Sequence, residues 1–415
     1  GTEMTSRERV LAAIEHREPD RVPVDLGGMR STGIMAIAYN RLREYLGWEA
    51  GNTKVYDVIQ QLAQPDDDAL DFWQADVVDM GRAFLTADTE WKDWTLPDGS
   101  PGQLPAYINL KPRDGGWVCE HADGTIIGRM PKGVQYVSQC HWPMADLEEP
   151  WDLKRVPEWM GKVTWAAMPT APYHKPLTPE HLNDIRQTAR QLCETTDKAI
   201  MIAFGGNFLE WGQFLRRIDN FLMDVAASPG QVAALLDRLL ELHISNAEKI
   251  LPAINGSVQI IQLGDDLGSQ SGAQISPDTF RKLFKPRLKA LIAHVKTLAD
   301  IKIFLHSCGS VEELLPDLID AGVEILNPVQ TNCSRMAAAH LKKEYGKDIC
   351  FWGGGCETQG VLQHDTPAEV REQVRERLAI FRPGGGFVFT QIHNILASVP
   401  PQNVVAMVEA VNEYR

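Results

Sequence analysis

From residue 179 onward the chain repeats one pattern: a longer amphipathic run, then a short apolar run, then a polar turn. Strand candidates fall at 199–204, 258–263, 301–305, 323–326, 349–352 and 386–390. Helical stretches at 179–195, 208–226, 229–250, 277–299, 310–321, 334–345 and 367–381 separate them, and a last one covers 401–413. Short apolar strands joined by helices pack as right-handed βαβ units around a parallel sheet. Two earlier candidates, 22–25 and 76–80, bring the strands to eight. Eight units predict an α/β fold, a closed (β/α)8 TIM-type barrel, with a doubly wound open sheet as the alternative. No Gly-x-Gly-x-x-Gly follows any strand, which counts against a dinucleotide fold.

Ahead of the repeat, Thr5 or Ser6 caps a first helix with Val10, Leu11 and Ile14 on its apolar side, and a second helix covers 34–46. Residues 88–178 break the pattern. They are rich in Pro, Gly and Trp, with Asp114-Gly and Asp123-Gly turns between alternating runs. We read a small β-rich, partly irregular insertion within a single barrel domain spanning 1–415. Gly1–Glu3, ahead of Met4, reads as an addition to the natural start.

Lys plus Arg number 41 against 55 Asp plus Glu, a formal charge of −14. That disfavours nucleic acid or an anionic membrane as partner. No apolar run reaches the roughly 20 residues of a membrane span, and the first 30 residues lack a secretion-signal pattern. Seven Cys residues do not form a disulfide framework in a chain this long, so reduced thiols and a cytoplasmic location are expected.

In a barrel, chemistry sits on the loops after the strands. Those loops carry Asn207 and Glu210; Asp265 and Asp266; His306 and Cys308; Asn327 and Gln330; Cys356, Glu357 and Gln359; and Gln391, His393 and Asn394. His306, Cys308 and Cys356 have the chemistry of zinc ligands, and three protein ligands leave a coordination position for substrate. Cys333 is a possible fourth. The alternative is ordinary: a small buried thiol and a hydrogen-bonded histidine. Asp265 and Asp266 either act on substrate or cap a turn. His393 is an acid–base group or a hydrogen-bonding support.

The same residues carry a family resemblance. Arg7-Glu-Arg-Val-Leu-Ala-Ala-Ile14, Glu18-Pro-Asp-Arg-Val-Pro23, Gly264-Asp-Asp-Leu-Gly268, Ile275-Ser-Pro277 and His306-Ser-Cys-Gly309 occur in order. Leu326-Asn-Pro-Val-Gln330, Gly353-Gly-Gly-Cys-Glu-Thr-Gln359, His393-Asn-Ile-Leu and Val399-Pro-Pro-Gln-Asn403 follow. Together they resemble the uroporphyrinogen decarboxylase superfamily over almost the whole chain outside 88–178. True decarboxylases carry Arg-Gln-Ala-Gly-Arg-Tyr where this chain has Gly27-Gly-Met-Arg-Ser31. The His-x-Cys with a distant Cys resembles the zinc methyltransferases of corrinoid systems, and that pattern falls on His306, Cys308 and Cys356.

The resemblance implies a zinc-dependent methyltransferase acting between a small O-, N- or S-methyl substrate and a corrinoid (cobalamin), with demethylation of the donor as the expected direction. Zinc polarises the heteroatom, and reduced corrinoid attacks the methyl carbon. From the strand-end loops we take Asp266, His393 and Glu357 as candidate catalytic residues, and Asn207, Asp265, Gln330 and Gln359 as candidate substrate contacts. The chain lacks the Asp-x-His-x-x-Gly signature of a corrinoid-carrying domain, so a separate corrinoid protein is the expected partner, and a homodimer is a further expectation beside it. The competing readings are a uroporphyrinogen decarboxylase-like enzyme with Arg21, Arg30, Arg82 and Arg113 as a basic cradle, or a non-catalytic tetrapyrrole binder.

Overall fold

A computed structural model describes residues 3–415; Gly1 and Thr2 of the expected N-terminal addition lie outside the described residues. Seven strands form one parallel sheet in sequence order: β1 (Val77–Asp79), β2 (Ala199–Gly205), β3 (Ile260–Gly264), β4 (Lys302–His306), β5 (Ile325–Asn327), β6 (Cys350–Trp352) and β7 (Phe387–Val388). The segment 22–25 closes the ring. Val24 bridges Phe389 in parallel, and its carbonyl accepts the Asp76 N–H at 2.7 Å, while the Asp25 N–H reaches the Phe389 carbonyl at 2.9 Å. The eight predicted strands are all in the ring, the one at 22–25 reduced to a single bridge.

Alternation along the strands sorts the core into two layers. Val77, Met201, Ile260, Phe304, Ile325, Trp352 and Val388 point into the barrel. Ile261, Leu263, Ile303, Leu305, Leu326 and Phe351 point outward against the helices. Helix Ser6–Ile14 joins the inner layer through Val10, Ala13 and Ile14. Its start is fixed by a reciprocal cap: Thr5 Oγ1 accepts the Glu8 N–H at 3.1 Å, and Glu8 Oε1 accepts the Thr5 N–H at 3.1 Å.

Two expected helices differ in detail. The stretch 208–226 is two helices, Leu209–Arg216 and Ile218–Ala227, bent apart at Arg217, whose φ of 73° interrupts the helix. The stretch 277–299 contains a π turn at Phe280–Phe284. Between residues 88 and 178, Trp91–Thr95 pairs with Pro101–Pro105, and Leu110–Arg113, Gly116–Glu120, Ile126–Met130 and Ser138–Gln139 form a second antiparallel sheet. Its first turn is Asp114-Gly115, with φ of 51° and 80°, the left-handed pair a two-residue hairpin requires. A short pairing of Val55–Asp57 with Leu62–Ala63 was not expected from the sequence. Among the described residues no helix is long and apolar enough to cross a membrane.

Candidate metal centre and substrate cavity

The polar loops surround a cavity of about 540 Å³ at the strand C-termini. His306, the last residue of β4, is held by two successive hydrogen bonds. The Asn327 side-chain amide donates from Nδ2 to the Trp352 carbonyl at 2.7 Å. That leaves Asn327 Oδ1 as acceptor for His306 Nδ1, 2.8 Å away. The ring proton therefore sits on Nδ1, and the Nε2 lone pair faces the cavity. Nε2 lies 3.3 Å from Cys308 Sγ, 3.4 Å from Ser31 Oγ and 3.8 Å from Asp266 Oδ1.

Loop packing sets the position of Cys308. Its N–H donates to Asp266 Oδ1 at 2.9 Å. Gly309, at φ +85°, lies so close to Gly268 that an added Cβ would stand 2.6 Å from that backbone. Gln330 Oε1 accepts the Gly309 N–H, so this side chain supports the loop and does not line the cavity. Burial and the nearby Asp266 and Glu210 carboxyls hold the Cys308 thiol well above its usual range. The His393 ring lies 5.8 Å from that of His306, and burial pushes it down to about 4. Among the described residues, the ligand atoms of His306, Cys308 and His393 all lie within 4.8 Å of one another. Imidazole and thiolate with an oriented lone pair suit zinc.

Cys356 stands outside that cluster. Its backbone is tied in, since its carbonyl accepts the Ile392 N–H at 2.9 Å, but its thiol is fully buried and belongs to the outer apolar core. Burial pushes that thiol up to about 12. The preceding Gly353 and Gly354 have φ of 113° and 82°, and a Cβ on Gly355 would meet the Phe389 ring at 2.2 Å. Glu357 turns toward the Pro367–Phe381 helix, where it accepts from Arg377 Nη2 at 3.2 Å and its N–H reaches Gln373. Gln359 is exposed and Cys333 lies against Gln270; neither lines the cavity.

The two adjacent aspartates do different work. Asp265 accepts the N–H groups of Phe208, Leu209 and Glu210 at 3.1, 2.8 and 2.8 Å, so it caps the Leu209–Arg216 helix and does not face the cavity. Burial still outweighs those bonds and raises its carboxyl to about 7. Asp266 faces the cavity. Glu210 also lines it; its Oε1 accepts from Asn207 Nδ2 at 2.7 Å and from the Asp266 N–H at 3.0 Å. Burial and the two aspartates keep the Glu210 carboxyl protonated well above the usual range.

The segment 164–414 matches the family described as uroporphyrinogen decarboxylase (URO-D). The chain belongs to this family. Of Arg21, Arg30, Arg82 and Arg113, expected from the sequence to form a basic cradle in a decarboxylase, only Arg30 lines the cavity; Arg82 donates to the Pro65 carbonyl and to Asp67. The chain is similar to methylcobamide:CoM methyltransferase MtaA of Methanosarcina barkeri, 28% identical over 179 residues. That alignment covers 43% of this chain and 48% of MtaA, about half of its length. A solved methyltransferase from Methanosarcina mazei matches over 99% of both chains with a TM-score of 0.59 at 19% identity, which supports the barrel fold.

Sequence reasoning passed over several residues of this family member's cavity. Ser31, Trp165, Trp211 and His243 all line it. His243 lies on a helix and bonds the Asn207 carbonyl at 2.8 Å; nothing in its spacing distinguishes it from a core histidine. Asn327 stood at a strand end and had no assigned role.

Proposed function

We propose that the protein is a corrinoid-dependent methyltransferase that takes a methyl group from a small O-, N- or S-methyl donor. The observation that carries this reading is the Asn327-oriented His306 Nε2 beside Cys308 Sγ, 3.3 Å apart, on a cavity large enough for a donor molecule. His306 and Cys308 would hold zinc. The family pattern gives Cys356 as third ligand, and the cluster offers His393. Zinc bound there would act as a Lewis acid on the heteroatom carrying the methyl group, and a corrinoid on a partner protein would accept it.

The chain's own residues supply the rest. Protonated Glu210 can give its proton to the demethylated heteroatom, and Asp266 beside Nε2 offsets positive charge at the ligand end. Asn207 fixes the Glu210 carboxyl. His393, kept neutral by burial, positions the donor or completes the metal shell. A formal charge of −14 leaves docking of a corrinoid protein to a local surface. The decarboxylase reading gains no support: of the four arginines it draws on only Arg30 lines the cavity, with Lys175 as the other cation there.

The test is metal analysis together with a turnover screen. Purified protein should contain zinc, and methoxylated or N-methyl compounds with reduced cobalamin should consume the Co(I) absorbance. Zinc-free protein that cannot be loaded, together with no methyl transfer from any donor class, would sink the reading.

A further inference from the structure

We propose that the segment 156–177, together with Trp211 on the Leu209–Arg216 helix, makes this cavity a site for a flat aromatic methyl donor, an aryl methyl ether whose ring lies against Trp165 and Trp211. The proposal rests on the methyl-transfer reading above and names its substrate class. The cavity's 540 Å³ has room for a ring-sized donor. Trp165, Phe204, Trp211 and Phe214 all line it and are only partly buried, so each has ring surface left for a ligand.

The aromatic lining starts beside the metal cluster. Ser31 Oγ is 3.4 Å from His306 Nε2, and the guanidinium of the preceding residue, Arg30, lies over one face of the Trp165 ring at 5.2 Å. His306, Trp165 and Trp211 line the same cavity, which is where one flat molecule would meet both the histidine and the tryptophans. An aromatic box can also recognise a quaternary ammonium, but here a cation already covers Trp165 and a second, Lys175, lines the same cavity. In the transfer, the O–CH3 bond breaks, the methyl carbon bonds to the reduced corrinoid using the corrinoid's electron pair, and the aryl oxygen keeps the O–C pair and takes a proton.

Calorimetric titration of the full chain, without corrinoid, should detect binding of 1,2-dimethoxybenzene or 3,4-dimethoxybenzoate, with tetramethylammonium as the contrasting probe. Trp165→Ala and Trp211→Ala should each weaken aromatic binding by about tenfold or more, with Trp165→Phe close to wild type. If Trp165→Ala does not fold, Trp211→Ala and Trp165→Phe decide. The proposal is overturned if neither aromatic binds, if the alanine variants bind as wild type does, or if tetramethylammonium binds more tightly. Aromatic binding without methyl transfer to reduced cobalamin would keep this inference and reject the methyl-transfer reading. Transfer from a methylamine without aromatic binding would do the reverse.

Discussion

The cavity is built from two kinds of chain, and they are held in different ways. The strand-end loops around His306 are polar and pinned: Asn327, Asp266 and Gln330 each fix a neighbour through a hydrogen bond. The lining from 156–177 is mostly apolar and is held mainly by packing, with the Tyr173 hydroxyl bonded to the Ala203 carbonyl as one tie to β2. A pinned loop sets atoms to within a narrow tolerance, which metal chemistry requires. A packed wall can be remodelled one side chain at a time, which suits the choice of substrate.

Substitution of the proposed ligands should separate the two regions most sharply. His306→Ala or Cys308→Ser should abolish zinc retention and lower methyl transfer by about a hundredfold or more, with unchanged binding of an aromatic probe, measured by metal analysis and turnover. Cys356→Ser and His393→Ala then decide the third ligand: whichever loses zinc at the same level as Cys308→Ser is the ligand, and loss in neither would reject both. Asn327→Ala frees the His306 ring and should weaken zinc binding by about 10–100-fold in a chelator competition, with Asn327→Asp, which keeps an acceptor for Nδ1, closer to wild type.

A smaller effect distinguishes the neighbouring aspartates. Asp265→Ala leaves three helix-start N–H groups without their acceptor and should cost about 1–3 kcal/mol in denaturant unfolding. Asp266→Ala removes the acceptor of one N–H, that of Cys308, so it should cost less stability than Asp265→Ala and lower turnover. Equal melting behaviour of the two variants would contradict the assignment.

The smallest effect is a pH dependence on the side of the wall. His174 stacks on Tyr107 at 5.7 Å and meets His181 edge-on at 5.5 Å, and burial pushes it down to about 4. Unfolded, it would titrate near the usual 6.5. Between those values the unfolded chain binds a proton that the folded one does not, so stability is full above about 6.5 and falls as the pH drops toward 4. His243 and His393, both pushed to about 4, act in the same direction. The buried carboxyls of Asp265, Asp79, Asp25 and Glu210 are raised and act in the opposite direction, so the readout is a difference: between pH 7 and pH 5 wild type should lose stability relative to His174→Phe, and a pH-independent difference would exclude His174 as a contributor.

What was legible in the sequence follows the same division. Barrel strands and helices alternate with a period that burial enforces, so Pro179–Thr195 and Pro367–Phe381 begin and end where the pattern places them. Strand-end placement also located His306, Cys308 and Asp266 on the cavity. Which way a side chain turns from its loop was not legible. Asp265 and Asp266 are adjacent and chemically identical, yet one meets a helix start and the other the cavity. Glu357 is claimed by Arg377 and the Cys356 thiol by the apolar core, both set by residues distant in sequence. Trp165 lies in a passage without periodicity, where only tertiary packing decides its direction.

The single bridge at Val24 also sets a timetable. Its partner Phe389 is encoded hundreds of residues later. At roughly 5–20 residues per second, the ribosome reaches that partner about 20–70 s after the N-terminal segment is made. Until then Val24, bonded to Asp76, has no neighbour on its other side, and Gly33, in the loop bearing Ser31, lacks the Asn394 side chain that accepts its N–H. Assembly of the centre is thus a late event of synthesis, and ribosome-bound chains shorter than residue 389 should be the species that most need protection from edge-to-edge association.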